Sequence, residues 1–326
     1  MDSVYDLAAL EMHCRDPHRR KLFCNAFFKK ALPLEICLET APELSEQLIF
    51  QTLRILERHD SQRDGATKLT FQTPDRHKIE AVILRIASGR TSLCISSQVG
   101  CAAGCPFCAT GTLGFHRNLT AAEMLDQVLL ARRLLLEEWR TLRNVVVMGM
   151  GEPLWNEEAL IPCLEALRDP RFFDLSDSHL MVSTVGLPDA MARFARRFPK
   201  IRLALSLHSA RQEVRERLMP VAKTRTLEEL KSVFPVLGKV WVEVLLLQGL
   251  NDGPEDLAAL IGFLHGTPAH INLIQYNTHP GARFEPVSEA ARKAFADSLR
   301  RAGFPVTLRY SLGNDIAAAC GQLAGK

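Results

Sequence analysis

Short apolar segments alternate with longer amphipathic ones from about residue 92 onward, and this alternation constrains the fold more than any other feature. The apolar segments read SLCISS, NVVVMGMG, HLMVSTVG, RLALSLH, VWVEVLLL and INLIQYN, with VTLRYSL following later. Strands that alternate with helices form parallel sheets through right-handed crossovers. Six such β/α units predict an α/β fold, a (β/α)6 barrel that is either open or closed. In such barrels the chemistry lies at the C-terminal ends of the strands.

The first 91 residues have a different pattern. The opening region has helical periodicity, and Pro33 and Pro42 divide it into short helices. It is followed by KLTFQT, a PDRH turn and the β-branched segment IEAVILR, which together indicate paired strands. We therefore expect three parts: a small N-terminal helical domain over 1–66, a short β linker or hairpin over 67–91, and the β/α core with a C-terminal catalytic loop over 92–326.

Three cysteines, Cys101, Cys105 and Cys108, lie in VGCAAGCPFCATG with the spacing C-x3-C-x2-C. Three thiolates from one loop can bind three irons of a [4Fe–4S] cluster and leave the fourth iron open to another ligand. A structural zinc site needs a fourth protein ligand, and no further Cys or His stands at a matching interval. Gly100 and Gly104 give the backbone the freedom to wrap around a cluster. The spacing indicates a cluster site rather than three unrelated buried cysteines.

The composition is that of a globular enzyme. The chain has 326 residues, 47% of them apolar and 24% charged, with a net charge of +3 that does not by itself indicate nucleic-acid binding. Its nine cysteines are widely dispersed, which argues against a secreted disulfide framework. The first ten residues lack the basic start of a signal peptide, and the apolar runs are too short to cross a bilayer. We expect a cytoplasmic protein without a membrane segment.

Polar residues follow the ends of several predicted strands, where they would face the same mouth as the cysteine loop. Glu152, in MGMGEP, could accept hydrogen bonds from an ammonium group, and Gly151 would let a ligand approach the backbone. Ser183, the segment Ser206–His208 and Asn277 occupy similar positions. Taken singly, a polar residue at such a position is more often a helix cap or a hydrogen-bonded loop residue, and His208 is about as often a hydrogen-bonded histidine near the core. Their shared location makes them candidate ligand-binding residues.

Six segments together carry a resemblance to a known family. They are CISSQVGCAAGCPFCATG, GMGEPLWN, STVG, LSLHS, NLIQYN and GNDIAAACGQL, and they occur in this order between about residues 80 and 324. In sequence and order they resemble the RlmN/Cfr family of radical S-adenosylmethionine (SAM) RNA methyltransferases. The resemblance implies a radical SAM partial (β/α)6 barrel. Cys94, before the cysteine loop, and Cys320, near the C-terminus, match the extra cysteine pair that separates this family from other radical SAM enzymes.

The resemblance also implies roles for individual residues. Cys320 matches the cysteine that carries the methyl group as S-methylcysteine, Cys94 matches the one that resolves the RNA adduct through a transient disulfide with Cys320, and Glu80 is the proton acceptor by position. Two SAM molecules are used per turnover, one to methylate Cys320 and one to generate a 5′-deoxyadenosyl radical. The cluster ligands would be Cys101, Cys105 and Cys108, and the SAM-binding residues would be Gly151, Glu152, Ser183, Ser206, Leu207, His208 and Asn277.

The implied substrate is an adenosine in RNA, methylated at C2 or C8. Family members act on 23S rRNA, and some also act on tRNA; the reductant would be a donor such as flavodoxin, and we expect a monomer. The N-terminal domain would help to grip RNA. Its basic residues are compatible with phosphate contacts and equally with a solvated helix face: Arg15, His18, Arg19, Arg20, Lys21, Lys29 and Lys30. Ala317 replaces an acidic residue that is frequent in the family, and we expect a modest effect on the loop.

Two other functional classes are compatible with parts of the sequence. The chain could be a radical SAM enzyme for a non-RNA substrate, in which case only the cluster and the SAM site would be needed. It could also be a noncatalytic Fe–S or zinc-containing RNA-binding protein. The presence of both Cys94 and Cys320 argues against the first class, and the SAM-binding positions argue against the second.

Overall fold

A ten-stranded mixed sheet organises the chain in the computed structural model, which describes residues 1–325. Two smaller sheets, each of two strands, accompany it. The strands are β1 Asp2–Ser3, β2 Leu48–Ile49, β3 Arg54–Asp60, β4 Ala66–Gln72, β5 Lys78–Arg85, β6 Thr91–Ile95, β7 Gln98–Gly100, β8 Phe115–Asn118, β9 Asn144–Val147, β10 Leu180–Thr184, β11 Arg202–Ser206, β12 Val240–Leu245, β13 Ala269–Ile274 and β14 Val306–Arg309.

The α-helices include those that connect successive parallel strands of the large sheet. They are α1 Leu7–His13, α2 Pro17–Cys24, α3 Leu34–Leu38, α4 Ala109–Thr112, α5 Ala121–Glu137, α6 Glu157–Arg168, α7 Pro188–Arg197, α8 Gln212–Leu218, α9 Leu227–Ser232, α10 Phe234–Leu237, α11 Pro254–Leu264 and α12 Glu289–Arg301. The start of α5 has a capping box, in which Thr120 and Glu123 exchange side-chain and backbone hydrogen bonds.

The parallel part of the sheet follows the chain order β6, β9, β10, β11, β12, β13 and β14. The alternating pattern of the strands separates two faces. Along β12, Val242 and Val244 pack into the main hydrophobic core, whereas Glu243 and Leu245 line a cavity on the other face. The predicted α/β fold, with parallel strands in chain order, is confirmed.

Three antiparallel strands, β3, β4 and β5, extend the sheet beyond β6. The extension begins at Arg54, inside the range 1–66 that we assigned to the helical domain, and it contains three strands rather than a hairpin. β3 has the sequence RILERHD, which lacks the apolar alternation that marks a strand, and most of its residues are exposed. Pairing with β4 along the edge of the sheet supplies its backbone hydrogen bonds.

The N-terminal helices pack against α5 and the segment that follows α6. Phe28 contacts Phe172 with ring centroids 4.8 Å apart. On α5, the buried carboxylate of Asp126 accepts hydrogen bonds from the Tyr5 hydroxyl at 2.7 Å and from the Leu53 amide at 2.9 Å. Aromatic packing and a buried acceptor therefore fix this region to the core. None of the helices in residues 1–325 combines the length and apolar character that a bilayer crossing requires.

Candidate active site

A cavity of about 1880 Å³ is lined by residues at the C-terminal ends of the parallel strands and extends into the barrel. Five cysteines from three parts of the sequence line this cavity, and all of them are free thiols: Cys94, Cys101, Cys105, Cys108 and Cys320. Residues far apart in the sequence, such as Cys94 and Cys320, therefore share one space.

The cysteine loop is shaped by glycine and closed by strand pairing. Gly100, at the end of β7, has a φ of 76°, and a Cβ there would lie 2.0 Å from the Gly114 carbonyl oxygen, so only glycine fits. Burial raises the pKa of Cys101 to about 12 and also raises the pKa values of Cys105 and Cys108. Without a metal these thiols stay protonated, and iron binding would have to displace the protons.

Glu152 follows β9 and is only 2% exposed. Its Oε2 accepts the Val185 amide at 2.7 Å and its Oε1 accepts the Leu154 amide at 3.0 Å. Burial raises the pKa of Glu152 to about 7, although the two amides favour the carboxylate. A Cβ on the preceding Gly151 would lie 2.5 Å from Cβ of Gln98, so glycine is needed there. A ligand ammonium group near Glu152 would favour its charged form.

Ser183, Ser206 and His208 also line the cavity. The hydroxyl oxygens of Ser183 and Ser206, on neighbouring strands, are 3.2 Å apart. His208 has a left-handed backbone with a φ of 58°, and its Nδ1 accepts the Leu245 amide at 3.2 Å. Burial lowers the pKa of His208 to about 3, and the charge of Arg215 acts in the same direction. His208 is therefore neutral and carries its proton on Nε2, which can donate to a ligand.

Two of the predicted SAM-binding residues support the cavity wall from behind. Leu207 is fully buried, and its amide donates to the Glu243 carbonyl at 3.1 Å. Asn277 follows β13, and its Nδ2 donates to the Ser311 hydroxyl at 2.8 Å and to the Cys320 carbonyl at 3.2 Å. Asn277 thus connects the end of a barrel strand to the loop that carries Cys320.

Glu80, on β5, is 1% exposed and contacts the C-terminal segment. Its Oε2 accepts the Ala324 amide at 2.8 Å, and its Oε1 lies 3.3 Å from Nζ of Lys68. The antiparallel register pairs Val82 of the same strand with Cys94, so Glu80 lies near the end of β6 that leads to the cysteine loop. Its carboxylate binds a backbone amide and a lysine behind the cavity wall.

The loop that carries Cys320 is held by hydrogen bonds to the residues that directly follow it. The Ala109 amide donates to the Gly321 carbonyl at 2.7 Å, and the Thr110 hydroxyl donates to the Leu323 carbonyl at 2.6 Å. Desolvation raises the pKa of Cys320 to about 11 and that of Cys94 to about 12, and the charge of Cys320 contributes to the second increase. Both thiols line the cavity, so Cys94 and Cys320 open into the same space.

Comparison with known proteins agrees with this geometry. The sequence model of the radical SAM superfamily matches residues 95–261. The chain is 45% identical to a probable RNA methyltransferase of Rhodopirellula baltica, over 98% of this chain and 86% of that protein. The chain belongs to the RlmN/Cfr family of radical SAM RNA methyltransferases.

Two further relatives support the assignment. The dual-specificity RNA methyltransferase RlmN of Syntrophobacter fumaroxidans is 40% identical over 87% of this chain and 83% of its own length. The crystal structure of a radical SAM methyltransferase from Sphaerobacter thermophilus has a TM-score of 0.90, with 34% identity over 100% of both chains. The family resemblance predicted from the sequence is therefore confirmed.

Radical SAM proteins use a [4Fe–4S] cluster and SAM, and the side chains of this RlmN/Cfr member fit both groups. Within residues 1–325 no three His, Cys, Asp or Glu side chains are grouped as one metal ion would require. A cubane instead gives each thiolate its own iron. Arg215 is fully buried, and its Nε and Nη1 have no hydrogen-bond partner in the described part of the chain. A buried cation of this kind suits an anionic group in the cavity.

The sequence analysis did not identify two side chains of this family member's site, Glu243 and Arg215. Glu243 lines the cavity; its Oε1 accepts Nδ2 of Asn272 at 2.8 Å and lies 3.5 Å from Nη1 of Arg309, and its Oε2 has no partner in residues 1–325. A lone carboxylate inside the apolar strand VWVEVLLL was a usable signal for Glu243. Arg215 gave none, because QEVRERL is typical of an exposed helix.

Proposed function

We propose that this RNA methyltransferase transfers a methyl group to a ring carbon, C2 or C8, of an adenosine in structured RNA, and that a methylated Cys320 carries the group. Its RNA substrate would be 23S rRNA, with tRNA as a second target. One observation carries the proposal: Cys94 and Cys320 line the same cavity as the three cysteines of the loop. Binding a cluster does not need this extra thiol pair, but a methyl group carried on sulfur does.

The extra thiols answer a chemical difficulty. An electron-poor ring carbon is too weak a nucleophile to take a methyl group directly from a sulfonium, whereas a thiolate can accept it. When bound, the cluster supplies the single electron for reductive cleavage of SAM, which provides the means to activate a C–H bond. Cys320 would lose its thiol proton, accept a methyl group from one SAM and present that group to the adenine. Two SAM molecules would be used per turnover.

Cys94 would complete the reaction. The methyl carbon first gives up one hydrogen atom to the 5′-deoxyadenosyl radical and bonds to the ring carbon, and the ring then gives up one proton and returns one electron to the redox couple that supplied it. The RNA is then tethered to Cys320 through sulfur. Attack by the Cys94 sulfur on the Cys320 sulfur forms an S–S bond and breaks the S–C bond, so the carbon and the electron pair leave with the RNA. A proton completes the new methyl group. An external thiol reductant must return the disulfide to two thiols before the next turnover.

Glu80 is our proposed acceptor for the proton that leaves the ring carbon. Its carboxylate is buried and holds the Ala324 amide at 2.8 Å. To take up a ring proton, Glu80 would have to exchange this amide for the substrate. Proton transfer in the reaction would then be linked to a movement of the C-terminal segment that carries Cys320.

The partners would be an RNA and a one-electron donor such as flavodoxin, acting on a cytoplasmic monomer. In the N-terminal basic set, Arg19 pairs with Glu43 at 2.7 Å and Lys29 pairs with Asp174 at 3.0 Å. The remaining exposed cations are left for phosphate contacts, with no ion pair among the described residues: Arg15, Lys21 and Lys30. An RNA contact here would involve only part of the basic set.

Mass spectrometry of nucleosides tests the proposal. The reconstituted enzyme is incubated anaerobically with 23S rRNA or tRNA, SAM and a strong reductant. We expect a methyladenosine with the methyl group on a ring carbon, and its chromatographic identity separates C2 from C8. Deoxyadenosine without methylated RNA would instead indicate a radical SAM enzyme for another substrate. No SAM cleavage by a protein that still binds RNA would indicate a noncatalytic role.

Cys320→Ala isolates the carrier step. We expect this variant to retain about four irons per chain and to make no methylated RNA, because the thiol that accepts the methyl group is gone. Iron analysis and nucleoside mass spectrometry check the two expectations. Methylated RNA from this variant would contradict a methyl-cysteine intermediate.

Cys94→Ala isolates the release step. We expect this variant to accumulate protein covalently bound to RNA, because nothing attacks the Cys320 sulfur. Denaturing gel electrophoresis with labelled RNA detects the adduct. Cys163→Ala, which removes a buried cysteine of α6, is the matched control and should form no adduct. Normal turnover by Cys94→Ala would assign Cys94 a packing role only.

A further inference from the structure

Arg215, on α8, is a fully buried cation without a carboxylate partner. It is the largest side chain in the interior, at 0% exposure. Its Nη2 donates to the Val185 carbonyl at 2.6 Å, while Nε and Nη1 have no partner among residues 1–325. A buried charge costs several kcal/mol unless something compensates it. One carbonyl dipole leaves most of this charge uncompensated.

The packing of α8 places this charge beside the cysteine loop. Val214 and Leu218, which flank Arg215, belong to the same small buried cluster as Cys101 and Cys105. Nη2 of Arg215 donates to the carbonyl of Val185, which packs against the same cluster and lines the cavity. The guanidinium and its unpartnered N–H groups therefore lie behind the part of the cavity wall that adjoins the cysteine loop.

We infer that Arg215 is the counter-cation of the [4Fe–4S] cluster and makes its one-electron reduction more favourable. The inference rests on the proposed cluster site at Cys101, Cys105 and Cys108. Three thiolates on a cubane give a net negative group, and reduction adds one more negative charge. A fixed guanidinium in a low-dielectric site stabilises the reduced form more than the oxidised form. Arg215 acts as a positioning residue that sets the potential and touches no substrate.

A second anion is chemically able to occupy the same donors. The carboxylate of SAM could accept hydrogen bonds from Nε and Nη1. The full burial of Arg215 favours the cluster, because a ligand that enters and leaves would strand the cation in each cycle, whereas a resident cluster compensates it permanently. The two occupants differ in a measurable way, since only the cluster is present before SAM is added.

The test is a redox titration of the reconstituted full chain without SAM or RNA. Electron paramagnetic resonance follows the reduced cluster as titanium(III) citrate is added. Arg215→Met removes the charge, Arg215→Gln removes it but retains donors, and Arg215→Lys retains the charge. Arg217→Met is the matched control, because Arg217 is exposed on the same helix. Iron analysis and circular dichroism verify the cluster and the fold of each variant.

We expect Arg215→Met and Arg215→Gln to disfavour reduction at least about tenfold, which corresponds to a potential about 59 mV more negative for a one-electron couple. Arg215→Lys should recover most of the shift, and Arg217→Met should match the parent. An unchanged potential in the two neutral variants overturns the inference. Weaker SAM binding with an unchanged potential also overturns it and assigns the guanidinium to the SAM carboxylate.

If neither neutral variant retains iron, Arg215→Lys decides the question. A lysine variant that binds the cluster at nearly the parent potential supports a charge role, because it lacks the planar fork of arginine. A folded lysine variant without iron overturns the inference. The potential is measured before any methyl transfer, so a failure of the methylation chemistry does not affect this result.

Discussion

Two non-glycine residues near the active site have left-handed backbones, and they differ in how that conformation is maintained. His208, with a φ of 58°, is held at several atoms: its own amide donates to the Glu243 carbonyl, and its carbonyl accepts Nδ2 of Asn251 at 2.7 Å. Ala317, with a φ of 51°, is exposed, and its amide makes one long contact, 3.4 Å, to the Asn314 carbonyl. At His208, hydrogen bonds within the site hold the backbone in the left-handed conformation. At Ala317 they do not, so the strain there depends on which side chain the residue carries.

Ala317→Asn should therefore stabilise the protein. A left-handed backbone costs a residue with a Cβ roughly 1–2 kcal/mol, and Asn tolerates it better than Ala. We expect the free energy of unfolding to rise by about 1 kcal/mol, measured by urea denaturation. The control, Ala290→Asn on the exposed face of α12, should lower it, because Asn is a weaker helix former than Ala. A decrease in the Ala317→Asn variant would show that the loop is not strained at this position.

The C-terminal loop that carries Cys320 joins separate elements of the active site. Hydrogen bonds from Asn277, Ala109 and Thr110 to the loop, and from Ala324 to Glu80, connect it to three other parts of the chain: the segment after β13, α4 and β5. The sequence predicted its chemistry through the match of AAACGQL to the family, but not its anchoring. Backbone carbonyls accept most of these bonds. Because every residue type has a backbone carbonyl, such bonds leave no signal in the sequence.

Glu80→Gln separates two roles of Glu80: anchoring the C-terminal segment through the Ala324 amide, and accepting a proton during the reaction. Glutamine retains an oxygen that can accept the Ala324 amide, but it cannot take up a proton. We expect methylation to fall by about 10²–10⁴-fold, the usual contribution of a general base, while the rate of Cys320 alkylation by iodoacetamide stays unchanged. Glu80→Ala should lose methylation and also change the rate of Cys320 alkylation, because the C-terminal segment loses its hydrogen bond to β5. If the glutamine variant methylates RNA at the parent rate, Glu80 is an anchor and the base lies elsewhere.

In the molecule as a whole, the β/α units could be predicted from the hydrophobic periodicity of the sequence. The polar strand at the edge of the sheet, β3, could not. Six β/α units follow from alternating apolar segments, and all appear in the expected order. β3 was missed because RILERHD has no apolar face, and its pairing with β4 is a long-range interaction. Arg215 was missed for a related reason: burial of a charged residue depends on tertiary packing, and its local sequence favours an exposed helix. Glu243 was also missed, although its place inside the apolar strand VWVEVLLL was a usable signal.

RNA binding involves the whole molecule, because the N-terminal region packs on α5, whereas the target base must enter the cavity. Its exposed cations Arg15, Lys21 and Lys30 would extend the RNA contact beyond the mouth of the barrel.

Replacing all three with Glu should weaken RNA binding and reduce the slope of log Kd against log salt concentration by about 0.7–0.9 per lost phosphate contact. Fluorescence anisotropy with a labelled RNA hairpin over a range of salt concentrations measures both quantities. Reversal of Lys293 and Arg300 on α12, which pair with Glu289 and Asp297, is the matched control. An equal effect of both sets would mean that only net charge matters, and no effect of the first set would make this face a solvated helix surface.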